Sequence, residues 1–303
     1  MTNVDTQVKP HTRDNLVSSG EFCLTAKDFA EIAAVMHREA GIALPENKVN
    51  LVYSRLAKRL RLLGLNNFHE YCNVIRDHSS PPGRNERDAM IAALTTNVTK
   101  FFREPHHFEH LKLHILPKLI HQAKLGQPIR IWSSACSSGQ EPYSIGLTIL
   151  SLLPEAANYN IKILASDIDP NMIALGEAGN YDKSALNAVP PTMVQRWFSP
   201  VASGSGEMRA NAELRTLVRF RKLNLMGNWP MRGLFHAIFC RNVVIYFDNE
   251  TQSRVWSRMV PLLAPEAALY IGHSERISGP AEALLRSDGV TIYRHAHGTR
   301  VAP

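Results

Sequence analysis

Apolar and polar residues alternate in two different ways along this chain. From Thr25 the apolar positions recur at helical spacing. Thr25 and Asp28 form a capping pair, Phe29, Ile32, Ala33 and Met36 follow on one face, and Gly41 closes the helix. A second helix is expected over 47–63 with Leu51, Leu56, Leu60 and Leu63 as its stripe, and a third over 68–75. The run SSPPGRNE reads as a loop, and 86–94 as a fourth helix. Residues 21–94 are therefore expected to form a small all-helical domain, after a disordered tail over 1–20.

Beyond residue 95 the pattern changes. Short apolar runs at 129–132, 161–165, 234–240, 268–271 and 290–293 read as strands. Helical segments separate them at 105–125, from 141, at 171–176 and at 249–263, the last stopped near Pro265. Strands alternating with helices predict an α/β fold with a mainly parallel sheet over 95–303. Residues 196–224 break that rhythm with strand-like runs around a Gly/Ser turn. They predict a small antiparallel β insertion that carries Arg209, Arg215, Arg219 and Arg221, its last run (218–225) rejoining the main sheet.

Residues 128–169 are the centre of the α/β part. The order is strand, small-residue loop (Ser133 to Gly139), helix opened by Glu141 and Pro142, then a second strand followed by Asp167 and Asp169. Ligands of such sheets sit beyond the strand ends, and an acid after the second strand suits ribose hydroxyls. The loop has one glycine, Gly139, instead of G-x-G-x-x-G, and Glu141 would repel a pyrophosphate. A cationic ligand with an adenosine end, such as S-adenosylmethionine (SAM), fits better. An ordinary strand-to-helix turn with solvated acids is the bland alternative.

Composition adds three constraints. The 303 residues are 45% hydrophobic, enough for one large domain or two ordinary ones. No apolar run approaches the roughly 20 residues of a membrane helix, and the polar N-terminus gives no reason to expect secretion. Cys23, Cys72, Cys136 and Cys240 form no C-x-x-C pair and read as structural thiols in a reducing cytoplasm. The net charge of +7 points to an anionic partner without choosing one.

Two charged stretches need separate readings. Arg55, Lys58 and Arg59 share a face of the second helix, and Lys48 and Arg61 add to a charge of one sign; a docking face for an acidic partner is expected. His106, His110 and His114 share a face of the 105–125 helix but span about 12 Å at 1.5 Å per residue. One ion takes at most two of them, so a helix of neutral histidines is expected and no metal site. TTNVTKFFREP (95–105), with its adjacent Phe101 and Phe102, reads as a structured junction, not a linker.

Four separated motifs, TTNVTKFFREP, WSSACSSGQEPYS, ASDIDP and FCRNVVIYFD, together resemble the CheR family, SAM-dependent methyltransferases that esterify glutamates on bacterial chemoreceptors. The resemblance covers residues 22 to 294. It implies a Rossmann-like SAM-binding domain, a cytoplasmic monomer, and the cytoplasmic helical domain of chemoreceptors as partner. It implies neither nucleic-acid binding nor membrane insertion. Asn97, Thr99 and Arg103 match positions that contact the cofactor. Glu141 matches the acid that holds the methionine amino group, with Gln140 as the alternative if the loop shifts by one. Asp167 matches the ribose acid, ahead of Asp169. Asn224 and Leu225 match the pair beside the adenine, and Arg241 and Asn242 the pair after the fourth strand. Arg103 and Tyr246 match the positions nearest the transferred methyl and are the expected catalytic residues. Gln140 stands where many relatives have Glu, which removes one negative charge near the cofactor. Arg55, Lys58 and Arg59 would dock the receptor. In some relatives the β insertion grips a receptor C-terminal peptide; the variable turn at 203–207 leaves that open here.

The chemistry agrees with the residues. A glutamate with a pKa near about 4.3 is already ionised at neutral pH, so ester formation needs alignment and no general base. That suits a chain without Ser-His-Asp or Cys-His patterns. A nicotinamide oxidoreductase would share the sheet but lacks its fingerprint here. A nucleic-acid methyltransferase or RNA binder would explain the charge but lacks its motif. A sensor that retains only SAM binding is disfavoured by Arg103 and Tyr246.

Overall fold

The computed structural model describes residues 15–17, 20–201 and 206–296. Most of the tail expected over 1–20 and part of the 203–207 turn lie outside the described residues. The chain forms two compact units, residues 1–39 with 43–94, and residues 40–42 with 95–303.

In the first unit, β1 (Asn15–Val17) falls inside the expected tail yet pairs antiparallel with β2 (Leu24–Thr25). Helix α1 (Ala26–Ala40) starts from a reciprocal cap. The Asp28 amide donates to Thr25 Oγ1 at 3.1 Å, and the Thr25 amide and hydroxyl donate back to Asp28 Oδ2 at 3.1 and 2.6 Å. Helix α2 (Val49–Leu63) ends at Gly64, whose φ of +67° suits glycine. In α3 (Phe68–Arg76), the Asn67 side chain caps the Glu70 amide at 2.9 Å. Helix α4 (Pro81–Leu94) corrects the expected SSPPGRNE loop. Proline costs little in a first turn, and Ser80 Oγ accepts the Gly83 amide at 3.2 Å. Gly83 is required there, since a Cβ would lie 2.1 Å from the Asp77 carbonyl oxygen.

The basic face of α2 is less free than its sequence suggests. Arg59 donates to both oxygens of Glu86, at 2.9 and 2.5 Å, and the Tyr71 hydroxyl donates to Glu86 Oε1 at 2.9 Å. Arg61 pairs with Glu21 at 2.6 Å. The neutralising acids come from other elements, which an inspection of α2 alone misses. Arg55 reaches the Ala93 carbonyl at 3.3 Å, and Lys58 is exposed.

The second unit begins with the junction and a helix in three parts: α5 (His106–His110), a π turn (Leu111–Ile115) and α6 (Leu116–Lys124). Pro117 explains the widening. It has no N–H, and its ring would clash with the carbonyl four residues back; the Leu116 amide bonds instead to Leu111 O. Then follow β3 (Ile129–Ser133), α7 (Gln140–Leu152), β4 (Ile161–Asp167), α8 (Pro170–Ala178), β5 (Asn180–Asp182), α9 (Pro191–Trp197), β6 (Phe198–Pro200), β7 (Glu207–Ala210), α10 (Ala212–Leu217) and β8 (Val218–Lys222). The chain finishes through β9 (Phe235–Cys240), α11 (Asn249–Met259), β10 (Leu263–Ile271), β11 (Leu285–Gly289) and β12 (Ile292–His295).

The main sheet runs β11-β12-β10-β9-β3-β4-β8. Its strands from β10 to β8 are parallel, and β12 is antiparallel to β10 and to β11. Odd-numbered Ile129, Ile131, Ile163, Ala165, Ala237 and Phe239 face one core with α7 and α10. Trp132, Ile238, Cys240, Leu269 and Ile271 face the other, against Val255, Trp256 and Met259 of α11. Strands buried on both faces read as continuous apolar runs, which is why they were legible. The insertion is a separate antiparallel sheet, β5-β7-β6. Its first strand comes from 180–182, upstream of the expected 196–224, and residues 212–217, inside that expected β insertion, form the helix α10. Strand β10 starts before Pro265, where its pairing with β9 shifts register, a position that spares a ladder bond.

Glu86→Ala is expected to leave Tyr71 buried and Arg59 unpaired and to cost about 3 kcal/mol; urea unfolding of the variant against the parent measures it.

Candidate active site

Strands β8, β4, β3 and β9 are parallel neighbours, so their carboxyl ends open on one edge. The chain winds from β3 outward to β4 and β8, then crosses back to β9. The edge between β3 and β9 is thus the switch point, where such sheets bind ligands.

Two hydrogen-bonded knots form there. In the first, the Ser137 amide donates to Asp167 Oδ2 at 2.8 Å and the Asp169 amide to Asp167 Oδ1 at 3.0 Å. Asp169 Oδ1 caps α8 through the Asn171 amide at 2.9 Å, and its Oδ2 accepts Asn97 Nδ2 at 3.0 Å. The Ser137 hydroxyl donates to the Asn97 carbonyl at 2.8 Å. The Leu223 amide donates to the Asp167 carbonyl at 2.9 Å, which places Asn224 and Leu225 beside the knot. Gly139 (φ +97°) makes the turn, since a Cβ there would lie 2.8 Å from the Tyr181 hydroxyl and 3.0 Å from Gly176 Cα. Burial raises the Asp167 carboxyl above its ordinary range, and the two amide donors oppose that rise.

The second knot surrounds Arg241, whose side chain is 1% exposed. Its Nη1 donates to Glu141 Oε2 at 2.9 Å, its Nη2 donates to the Arg103 carbonyl, and Nη2 lies 3.3 Å from Glu104 Oε2. Ser133 Oγ donates to the other Glu141 oxygen at 2.7 Å. Burial raises Glu141 above the usual carboxylate range, and Arg241 and Ser133 hold it back. Burial works against Glu104 too, but His273 and Arg241 outweigh it and its carboxyl titrates at about 2. Gln140 takes no part here; its Oε1 accepts the Ser138 hydroxyl at 2.9 Å.

The remaining expected residues are less tied. Arg103 Nη1 donates to the Val98 carbonyl at 2.9 Å. Tyr246 ends a 3₁₀ turn (Val244–Tyr246) and is 37% exposed. Thr99 is half-buried and enters neither knot. Asn224 Oδ1 accepts the Met226 amide at 2.9 Å, and the Leu225 carbonyl accepts Arg258 at 2.7 Å. Among the described residues no group of three or more His, Cys, Asp or Glu could hold a metal ion.

Sequence reading gave Glu104, Ser133, Ser137 and Glu275 no role. Buried Glu275 accepts the amides of Asn242, Val243, Val244 and Gly272 at 2.9, 2.8, 2.9 and 2.5 Å. It fixes the loop that carries Arg241, Asn242 and Tyr246. The available signal was an acid just after a strand end, in GHSE.

Residues 97–291 match the model of the CheR methyltransferase SAM-binding domain, and residues 27–95 that of the CheR all-alpha domain. The chain belongs to the CheR methyltransferase family. It is 51% identical over 262 residues to a probable chemotaxis protein methyltransferase of Rhizobium etli, covering 86% of this chain and 97% of that one. It is 43% identical to chemotaxis protein methyltransferase 2 of Pseudomonas aeruginosa (91% and 95% covered), and 39% identical to the Escherichia coli chemotaxis protein methyltransferase (89% and 91% covered).

The CheR site fits SAM on its donor set. Burial disfavours the charged form of these carboxylates, so a cationic ligand beside them is stabilising, and the acids would repel a phosphate. SAM binding is therefore expected to weaken on acidification, starting above the ordinary carboxylate value of about 4.3, because ionised Glu141 and Asp167 are what a cation attracts. Calorimetric titration with SAM at descending pH measures this; an affinity flat down to that value contradicts it.

Proposed function

We propose that this CheR-family enzyme transfers a methyl group from SAM to glutamate side-chain carboxylates of chemoreceptors, with Arg103 and Tyr246 presenting the acceptor. SAM supplies a methyl group activated on a sulfonium. The acceptor carboxylate forms the C–O bond as the C–S bond breaks, leaving a methyl ester and S-adenosylhomocysteine. No proton moves, because the glutamate is already ionised. The protein contributes alignment and exclusion of water.

One observation supports the role of Arg103. The neighbouring buried Arg241 is neutralised by Glu141 and Glu104, whereas the hydrogen bond seen for the Arg103 side chain is to a backbone carbonyl. Its guanidinium therefore keeps charge for an incoming carboxylate. Its backbone is held by Arg241 Nη2, so the presenting group is anchored from behind. Tyr246, exposed on the loop that Glu275 fixes, supplies a hydroxyl to orient the acceptor. Asn97, Thr99, Glu141, Asp167, Asn224, Leu225, Arg241 and Asn242 line the SAM site in this reading.

Receptor docking falls to Arg55 and Lys58. Arg59 keeps its bond to Glu86 and serves mainly to hold α2 against α4. The substrate is then an acid-bearing helix of the receptor's cytoplasmic domain, met by a cytoplasmic monomer.

Arg103→Ala is expected to lower kcat roughly a hundredfold, the scale of a lost positioning contact; a labelled-methyl assay on receptor cytoplasmic fragments checks it, and near-normal turnover removes Arg103 from the mechanism. Reversing Arg55 and Lys58 to Glu, with Arg59 left in place, should raise the receptor KM and leave SAM affinity unchanged. Loss of SAM binding in that double variant would mean a folding role instead.

A further inference from the structure

The second histidine of the histidine-rich helix lies against the Arg241 knot. His107 is fully buried. Three buried polar atoms of these neighbouring side chains have no hydrogen-bond partner among the described residues: His107 Nδ1, Glu104 Oε2 and Arg241 Nε. Glu104 Oε2 is 3.7 Å from His107 Nδ1 and 3.3 Å from Arg241 Nη2.

The tautomer of His107 follows from its other nitrogen. Nε2 lies 2.9 Å from Thr291 Oγ1, and that hydroxyl donates its proton to the Val290 carbonyl at 2.7 Å. The threonine oxygen can then only accept, so Nε2 carries the hydrogen and Nδ1 is bare in the neutral ring. Burial, and then the positive charge of Arg241, push the imidazole down to about 3. Glu104 is ionised at neutral pH. The inventory is thus two acceptors facing each other at 3.7 Å and one N–H donor on the guanidinium whose Nη2 lies 3.3 Å from Glu104 Oε2. Acceptors cannot satisfy each other, and buried polar groups without partners are rare in native proteins.

We propose that His107 is a positioning residue for methyl transfer, holding the Glu104–Arg241 pair through one shared water that donates to His107 Nδ1 and Glu104 Oε2 and accepts from Arg241 Nε–H. Three bonds are the usual complement of a buried water. The alternative, an imidazolium paired directly with Glu104, sets a second buried cation against Arg241. It also has the tilted ring of His106 at 4.2 Å, while His273 already occupies Glu104 Oε1 at 3.0 Å. Through the water, His107 governs the angle of the guanidinium that grips Glu141 and the Arg103 carbonyl. The catalytic consequence rests on the proposed function; the tautomer and the water do not.

Nitrogen-15 spectra of the full chain with labelled histidine, recorded without SAM or receptor, test the arrangement first. The expected result is a neutral His107 with Nε2 protonated and Nδ1 bare across the neutral range, with magnetisation transfer to a bound water. An Nδ1–H tautomer or an imidazolium overturns it. Two variants then test the positioning role. His107→Leu should lower kcat roughly tenfold or more, the scale of a slightly misplaced group, with the receptor KM little changed. His107→Asn, which returns an acceptor near Nδ1, should recover most of the loss. Equal impairment of the two, or none in either, overturns the positioning role. Should the Leu variant not fold, the spectra of the unaltered chain still decide.

Discussion

One buried guanidinium organises the catalytic half of this molecule. Arg241 stands at the end of β9, grips Glu141 at the start of α7, and reaches Glu104 and the Arg103 carbonyl in the junction before α5. Three segments far apart in sequence are brought to one point by a charge that cannot be left alone. A cation with 1% side-chain exposure is costly unless its partners are complete. Losing either acid would leave a buried charge only partly compensated, so the same interaction that gathers the site makes its geometry hard to vary. The bond is better read as specifying an arrangement than as adding stability.

The backbone around the knots is held in unfavourable conformations. Phe102, Glu104, Ser137 and Asn242 have φ between 48° and 58°, a region that side-chain-bearing residues seldom adopt. Each is secured by hydrogen bonds: the Phe102 amide donates to Ser144 Oγ at 2.9 Å, Glu104 is held by His273, Ser137 by Asp167, and Asn242 by Glu275. Strain of this kind persists only where the surroundings over-determine it, and here it marks the loops beyond β3 and β9 and the junction.

The sequence made the parallel sheet legible because its strands are buried on both faces and stand out as apolar runs. The cap at Thr25 and Asp28 was legible because its bonds are local. What escaped reading depended on distant partners. Arg59 looked like a free cation until Glu86 arrived from α4. The strand at Asn180–Asp182 is too short to show alternation and exists only because β7 pairs with it. The loop expected at SSPPGRNE became helix because Gly83 lets α4 begin close against Asp77. In the site, Asp167 and Arg241 announced themselves by position at strand ends. Glu275 did not, since its role is to receive amides from residues some thirty positions earlier.

The sheet ends at β8, an edge strand with nothing hydrogen-bonded beyond it among the described residues. Arg219, Arg221 and Lys222 are exposed along this strand, while Val218 and Phe220 turn inward. An uncharged edge of this kind would template strand addition from a neighbouring molecule. Here a second copy would bring like charges against like, so the basic residues that contribute to the net charge of +7 also act as a guard against self-association through the sheet.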